Sequence, residues 1–241
     1  MSEKINLARR ENNVITRKEE DSPNSKIFGK FNKVFVSGMI ETELEYDFQF
    51  RWEKFYRTTI AITRYSGTVD LIPLVISDML ISQDTLKESL KGKWVEITGQ
   101  FRSYNKIGKD GLNHLILFLF ATSIVIYEDA SELEENPNSN LIYLDGYLCK
   151  SPIYRKTFLG REISDLLIAV NRPYRKSDYI PCITWGRVAR WASGLEVGNR
   201  VQLYGRIQSR IYYKKLSPDS DITEPRTAYE ISIMQIQIVD N

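Results

Sequence analysis

Hydrophobic and polar residues alternate along several short segments of the chain, and this period of two predicts β-strands. The segments with the clearest alternation are residues 34–40, 163–170, 201–207 and 229–238. Closely spaced β-branched residues in the last segment favour a strand over a helix. Two short stretches, within residues 78–90 and 186–193, are predicted to be helical. The pattern therefore indicates a mainly β protein.

The sequence contains an internal duplication, because four blocks recur in the same order at nearly constant spacing. The offset is 108 for three of the blocks and 106 for the fourth, and chance matches would not keep this register. Residues 31–128 and 140–241 are referred to below as the first and second copies. The matching blocks are 32–38 with 140–146, 59–64 with 167–172, 72–73 with 180–181, and Gly92 and Gly99 with Gly198 and Gly205.

Each copy is predicted to close into a five-stranded barrel. Gly38 and Gly146 fall inside the first strands and Gly99 and Gly205 inside the fourth, where a glycine marks the bulge or bend that a small barrel needs. A short helix between the third and fourth strands completes the OB-fold pattern. We therefore expect an all-β chain with two tandem five-stranded OB-fold barrels. Residues 1–30 are predicted to be a disordered tail, and residues 129–139 an acidic linker.

Charge is distributed unequally between the two copies, although the formal net charge is only +2. The first copy has eleven basic and twelve acidic residues, whereas the second has fifteen basic and ten acidic. A positive charge concentrated in the last hundred residues is expected if only that part contacts a polyanion.

Few residues in the sequence are suited to catalysis or metal binding. The cysteines are Cys149 and Cys182, the single histidine is His114, and they form no close-spaced cluster. Neither a phosphate-binding glycine loop nor a nucleophile elbow occurs. We expect no enzymatic activity, no cofactor and no metal. The polar N-terminal segment and the absence of a long apolar run predict a cytoplasmic, nucleoid-associated protein without a membrane span.

Three blocks of the second copy resemble the bacterial single-stranded DNA-binding protein family. Residues 167–174 (LIAVNRPY) resemble the second strand and the start of the loop that follows it. Residues 178–186 (DYIPCITWG) resemble the third strand, and residues 201–212 (VQLYGRIQSRIY) the fourth. The resemblance covers most of residues 140–241, and the first copy resembles the same fold more weakly. It implies a protein that binds single-stranded DNA during replication, recombination or repair.

The resemblance also implies the binding residues, because the family stacks bases on a few aromatic side chains. Stacking needs no sequence readout, since every base has a π-face, and nearby cations follow the phosphates. The aromatic residues at the matching positions are Tyr174, Tyr179, Trp185 and Tyr212. The cations expected to contact phosphates are Arg172, Arg175, Lys176, Arg206, Arg210, Lys214 and Lys215. Trp191, by contrast, has helical spacing to Val188 and Leu195 and is predicted to lie in the core.

The first copy lacks all four of these rings, since Ser66, Leu71, Ser77 and Lys106 stand at the equivalent positions. We therefore expect the second copy to do most of the binding. Two alternatives remain for the first copy. It could serve as an assembly surface, or it could bind through a different set of rings, namely Trp52, Phe55, Tyr56, Phe101 and Tyr104.

Partners and alternative functions follow from the same resemblance. Family members with one barrel per chain typically form tetramers, which implies a homodimer of two-barrel chains and contacts with replication or repair proteins. The family usually recruits repair enzymes through an acidic C-terminal tip. Because the sequence ends at Asn241, directly after the last predicted strand, we do not expect recruitment by this route. A primosome or plasmid-replication accessory that uses its barrels for protein contacts is a second hypothesis. RNA binding is a third, because OB barrels accept both nucleic acids.

Overall fold

The computed structural model describes residues 31–108, 111–129, 131, 139–215 and 223–239. The predicted tail at residues 1–30 and most of the predicted linker lie outside these ranges, as does the side chain of Lys215. The first copy comprises β1 (Asn32–Ile40), β2 (Glu45–Phe50), β3 (Glu53–Thr63), β4 (Val69–Ser77), α1 (Gln83–Lys87), β5 (Trp94–Ile107) and β6 (Asn113–Tyr127). The second comprises β7 (Asn140–Leu148), β8 (Ile153–Lys156), β9 (Glu162–Arg172), a 3₁₀ turn (Pro173–Arg175), β10 (Lys176–Trp185), α2 (Gly186–Ala192), β11 (Arg200–Lys215) and β12 (Thr223–Ile238).

Five strands of each copy pair in a closed cycle. In the first copy β1 pairs with β3 and β5, and the pairs β3–β4, β4–β6 and β6–β5 complete the cycle. In the second copy β7 pairs with β9 and β11, and the pairs β9–β10, β10–β12 and β12–β11 complete it. Each helix follows the third strand of its cycle. The mainly β architecture and the OB fold predicted from the sequence are thus confirmed.

Two strands and the length of one helix differ from the expectation. Strands β2 and β8 add a hairpin partner to β3 and β9. Nearly all of their positions are exposed, so they lack the burial alternation that reveals the other strands. Helix α1 has five residues and buries none of them. Leu80 and Ile81, which fall within the predicted helical stretch, are instead buried in the segment that precedes the helix.

The interior of each barrel is filled by the inward residues of its strands. On β4 these are Ile72, Leu74 and Ile76, and on β10 they are Ile180 and Cys182, all of them at most 2% exposed. Their burial is the main stabilising term, at roughly 1.5–3 kcal/mol for each large aliphatic side chain. The alternating pattern of the sequence is therefore the pattern of the core.

Glycines allow the strands to approach closely where the barrels bend. The β5–β6 register shifts between Thr98 and Gly99, and the β11–β12 register shifts between Tyr204 and Gly205. A Cβ atom on Gly205 would lie 2.6 Å from the carbonyl oxygen of Ser232, which is inside van der Waals contact. The bulges predicted at these glycines are confirmed, and no larger residue fits there.

The two copies meet at a junction with approximate two-fold symmetry. Strands β1 and β7 pair antiparallel over five residues each, which makes the two barrels one continuous sheet. The backbone N–H of Ser103 donates to Asp178 at 2.6 Å, and that of Ser209 donates to Asp70 at 2.7 Å. Each serine hydroxyl accepts a hydrogen bond from the N–H of the residue after the aspartate, at 2.7 and 3.1 Å. These four residues are equivalent under the offsets of the duplication, so both copies use the same atoms for their contact.

Replacing Gly205 by alanine is expected to destabilise the second barrel by about 1–3 kcal/mol, the usual cost of overpacking. The added Cβ would meet backbone rather than a flexible side chain. Urea unfolding measures the change. Gly194→Ala is the matched control, because the nearest atom to its Cβ is 3.5 Å away. Equal stability of the two variants would contradict the close approach.

Candidate nucleic-acid interface

The second copy presents an outer sheet face formed by β10, β12 and β11. Cys182 on β10 lies beside Ile231 on β12, and both are buried in the barrel. Side chains alternate along a strand, so the next pair, Ile183 and Ser232, points outwards. Ser232 also pairs with Arg206 on β11, which extends the same face. Residues two, four or six positions from Ile183 or Arg206 lie on the same outer face. These are Tyr179 and Trp185 on β10, and Arg210 and Tyr212 on β11.

Three of the four predicted rings lie on this outer face and are partly open to solvent. Tyr179 and Trp185 are each 42% exposed, and Tyr212 is 37% exposed. Trp185 ends β10 immediately before α2, and a recess beside it is also lined by Arg161 and Arg190. Each ring therefore has one side packed on the protein and one side that a base could cover.

The fourth predicted ring, Tyr174, lies on a tight turn instead of the sheet. The backbone has φ +60° at Tyr174 and +57° at Arg175, a region that costs a non-glycine residue about 1–3 kcal/mol. Strand pairing resumes at Lys176, opposite Arg172, so the turn is short. Tyr174 is 84% exposed as a result. Strained residues of this kind often occur at binding sites.

The predicted cations differ in their surroundings. Arg175, Lys176 and Lys214 are exposed, and the side chain of Lys215 lies outside the described residues. The guanidinium of Arg210 lies 5.8 Å from the Tyr212 ring centroid and 3.6 Å from a Glu230 carboxylate oxygen. Arg210 thus places a positive charge beside the Tyr212 ring, and it also pairs with the Glu230 carboxylate.

Arg172 was predicted to contact phosphate, but its position in the structure indicates another role. Its Nε lies 3.3 Å from the Asp178 carboxylate, without hydrogen-bond geometry, and that carboxylate is 1% exposed. In the first copy the equivalent pair is closer, because Arg64 donates two hydrogen bonds of 2.6 Å to Asp70. Both aspartates accept the hydrogen bonds of the junction, so Arg172 neutralises a junction carboxylate. Burial raises the pKa of Asp178, which the arginine partly offsets.

A third arginine, Arg102 of the first copy, lies near this pair. Burial and the charge of Arg172 lower the pKa of Arg102 to about 10. Its guanidinium lies 4.2 Å from the centroid of the Phe120 ring. Two arginines, Arg102 and Arg172, therefore lie near the Asp178 carboxylate in this part of the junction.

The rings proposed for an alternative site in the first copy are only partly accessible. Phe101 is fully buried and Phe55 is 6% exposed, so these two cannot stack on a base. Trp52 is 82% and Tyr104 is 40% exposed, and Tyr56 is half-buried. The prediction of a site formed by all five rings is therefore wrong.

The positions of Tyr65 and Trp191 were not predicted correctly from the sequence. Tyr65 is fully exposed in the turn between β3 and β4, the counterpart of the turn that carries Tyr174. The fixed offset had paired Tyr174 with Ser66 and passed over the neighbouring residue. Trp191 is 46% exposed, so its predicted core position is wrong. Helix α2 packs through Ala189 and Ala192 instead.

The part of the chain that the structure describes has no helix long and apolar enough to cross a membrane. Within the same residues, no group of three or more histidine, cysteine, aspartate or glutamate side chains is arranged to hold a metal ion.

Comparison with known proteins relates the second copy to a defined family. Residues 139–239 match the family model described as "Single-strand binding protein family". Single-stranded DNA-binding protein B of Bacillus subtilis is 32% identical over 92 residues, which are 35% of this chain and 81% of that protein. The Single-stranded DNA-binding protein of Oceanobacillus iheyensis is 37% identical over 78 residues, 30% of this chain. The chain covers only 48% of the length of that relative.

Solved structures extend the likeness in fold to both copies. The wild-type single-stranded DNA binding protein from Thermus aquaticus superposes with a TM-score of 0.59 at 18% identity, over 87% of this chain and 93% of that chain. A deletion variant of the same protein gives a TM-score of 0.60 at 19% identity, over 87% and 95%. At such identity the likeness concerns the fold alone.

Arg172→Ala is expected to lower stability by about 3 kcal/mol, because it removes the cation that forms an ion pair with the buried Asp178 carboxylate. Lys176→Ala is the matched control, since that exposed side chain lies on the neighbouring strand, and its stability should stay within about 0.5 kcal/mol of the parent. Thermal and urea unfolding measure both. An Arg172→Ala protein as stable as the parent would show that Arg172 is not a junction residue.

Proposed function

The chain belongs to the single-strand binding protein family, and from this premise we propose that it binds single-stranded DNA on the outer face of its second copy. Binding would be independent of base sequence and would involve no catalysis. Such a protein keeps an unpaired strand from forming hairpins during replication, recombination or repair. The names of the relatives support the ligand, and the chemistry of the face supports the mode of binding.

The observation that carries the proposal is the shared face of Tyr179, Trp185 and Tyr212. Rings on one face can stack successive bases of one strand, whereas a duplex keeps its bases stacked on each other. Each base–ring stack contributes about 1–3 kcal/mol. Arg210 and Lys214 flank Tyr212 along β11, two residues to either side, so phosphates next to a base stacked there would meet cations.

The asymmetry between the copies supports the choice of the second. Under the duplication, Leu71 and Ser77 of the first copy stand where Tyr179 and Trp185 stand in the second. Neither can stack on a base. Of the two copies, only the second has an excess of basic residues. We therefore propose that the first copy contributes less to binding.

The proposal is tested by titrating fluorescently labelled oligo-dT and a duplex of equal length with the full chain. We expect tight binding of the single strand, with quenching of protein fluorescence, and much weaker binding of the duplex. The logarithm of the affinity should fall with the logarithm of the salt concentration, with a slope of about −0.7 for each phosphate contacted. Equal affinity for both DNAs, or no dependence on salt, would rule out a stacking groove that follows the backbone.

Tyr212→Ala is expected to weaken oligo-dT binding by about 1–3 kcal/mol, the worth of one stacked base. Tyr213→Ala is the control, because Tyr213 is the next residue of the same strand, 70% exposed, on the opposite face. Fluorescence anisotropy measures both variants. Similar losses in the two would show that the outer face is not the binding surface.

A second candidate function is protein binding by the hairpin of β2 and β3. Phe50 and Trp52 are 61% and 82% exposed there, and Phe48 is 43% exposed while stacking on Phe55 at 4.6 Å. Residues 45–57 carry three acidic and three basic side chains. A neutral, aromatic surface favours a protein partner over a polyanion. Contacts with a replication or repair protein, or with a second copy of this chain, would use this hairpin.

A further inference from the structure

A recess of about 480 Å³ lies where the two copies meet, next to the outer face of the second copy. The first copy contributes Arg64 and Tyr65 from the end of β3 and the turn that follows. The second contributes Asn140, Arg206 and Met234. The recess is thus formed by both copies.

Arg206 has an unfavourable electrostatic environment in this recess. Its described hydrogen bond is a long one of 3.5 Å to the Gln208 side chain, and it forms no ion pair with any described carboxylate. Burial and the nearby charge of Arg64 lower the pKa of Arg206. Asp70 offsets only part of this, because both of its oxygens already bind Arg64. Three arginines, Arg64, Arg206 and Arg210, lie near two carboxylates, those of Asp70 and Glu230. The net positive charge that remains is one that an anion would neutralise.

Tyr65 and Met234 supply apolar surface beside that charge. Tyr65 is fully exposed and Met234 is 58% exposed. Met234 is the extra residue of the β11–β12 bulge, since Tyr204 pairs with Gln235 and Gly205 with Ile233. The bulge turns its side chain into the recess, as such irregularities commonly do near binding sites. A ring and a thioether next to a cation are suited to a base and its phosphate.

The recess continues the face on which we propose that DNA binds. Arg206 lies on the same side of β11 as Arg210 and Tyr212. Six residues of strand separate Arg206 from Tyr212, which is about 20 Å. Asn140 holds β11 in place beside Arg206, because its side chain exchanges two hydrogen bonds with the backbone of Ile207, at 2.8 and 2.9 Å.

We propose that the recess is a further binding site for the same single strand, with a phosphodiester at Arg206 and a base on Tyr65. The proposal rests on the proposed function and assigns the first copy a part in it. The first copy would contribute through the turn after β3, although the positions equivalent to the rings of the second copy carry no aromatic residue. At this position only the second copy carries a cation, because the residue equivalent to Arg206 in the first copy is Gln100.

The test measures binding of a dT oligomer of about 16 nucleotides, the upper footprint of one OB barrel, to the full chain. Arg206→Gln replaces the cation by the residue of the equivalent position. It is expected to weaken binding at least about five-fold and to reduce the magnitude of the salt slope by about 0.7, the effect of one phosphate. Tyr65→Ala should weaken binding by a similar factor with little change in the slope, and Tyr65→Phe should restore it because the ring remains.

Tyr46→Ala is the matched control, since Tyr46 is also an exposed tyrosine of the first copy but lies on β2, away from the recess. It should bind like the parent, and all variants should unfold at the parent's temperature. Parent-like binding by Tyr65→Ala would overturn the proposal even if Arg206→Gln binds weakly, because a contact from the first copy is required. Tyr212→Ala distinguishes failure of the recess proposal from failure of the proposed DNA-binding face. If it binds weakly while both recess variants bind normally, only the recess proposal fails. If it too binds normally, the proposed face fails as well.

Discussion

The register between β12 and its neighbours is the constraint on which the rest of the second copy depends. Because the side-chain period is two, a slip of one residue would exchange the buried and outer faces of the strand. The apolar residues of β12 change phase, from Ile231 and Ile233 to Ile236 and Ile238. One bulged residue, Met234, absorbs that change. Ile231 and Ile233 before the bulge are buried, and Ile236 beyond it still packs against the core. The predicted ring and cations of β11 remain outside.

Equivalent interiors with different exteriors are the main result of the duplication. Both barrels close by the same strand pairs, and both junction aspartates are held by an arginine and accept from a serine of the other copy. These buried polar groups leave little freedom, since loss of a partner leaves a charge in a poorly solvated site. The outer positions lack this constraint. Tyr179 and Leu71 occupy matching sites, so binding chemistry can change in one copy without loss of the fold.

The sequence predicted the strands in which buried and exposed residues alternate. It did not predict strands with two exposed faces or residue roles that depend on tertiary contacts. The barrels followed from inward residues such as Ile72 and Ile180 and from the strand glycines. Strands β2 and β8 escaped notice because both of their faces are exposed. Arg172 was predicted to contact phosphate because a sequence does not show that its guanidinium pairs with the buried Asp178 carboxylate. Tyr65 was missed because the repeat offset compares positions one by one, whereas a turn can present its ring from either of two neighbouring residues.

The junction makes the two copies interdependent, which affects how the proposed site should be understood. Asp178 immediately precedes Tyr179 on β10, and its carboxylate accepts from Ser103 of the first copy. Without the first copy, β7 would lose its pairing with β1, and an unpaired strand edge promotes association with other chains. The first copy therefore supports the outer face even where it contributes no ring. A barrel without rings at the positions of Tyr179 and Trp185 can be retained because it completes the sheet on which the second copy carries those rings.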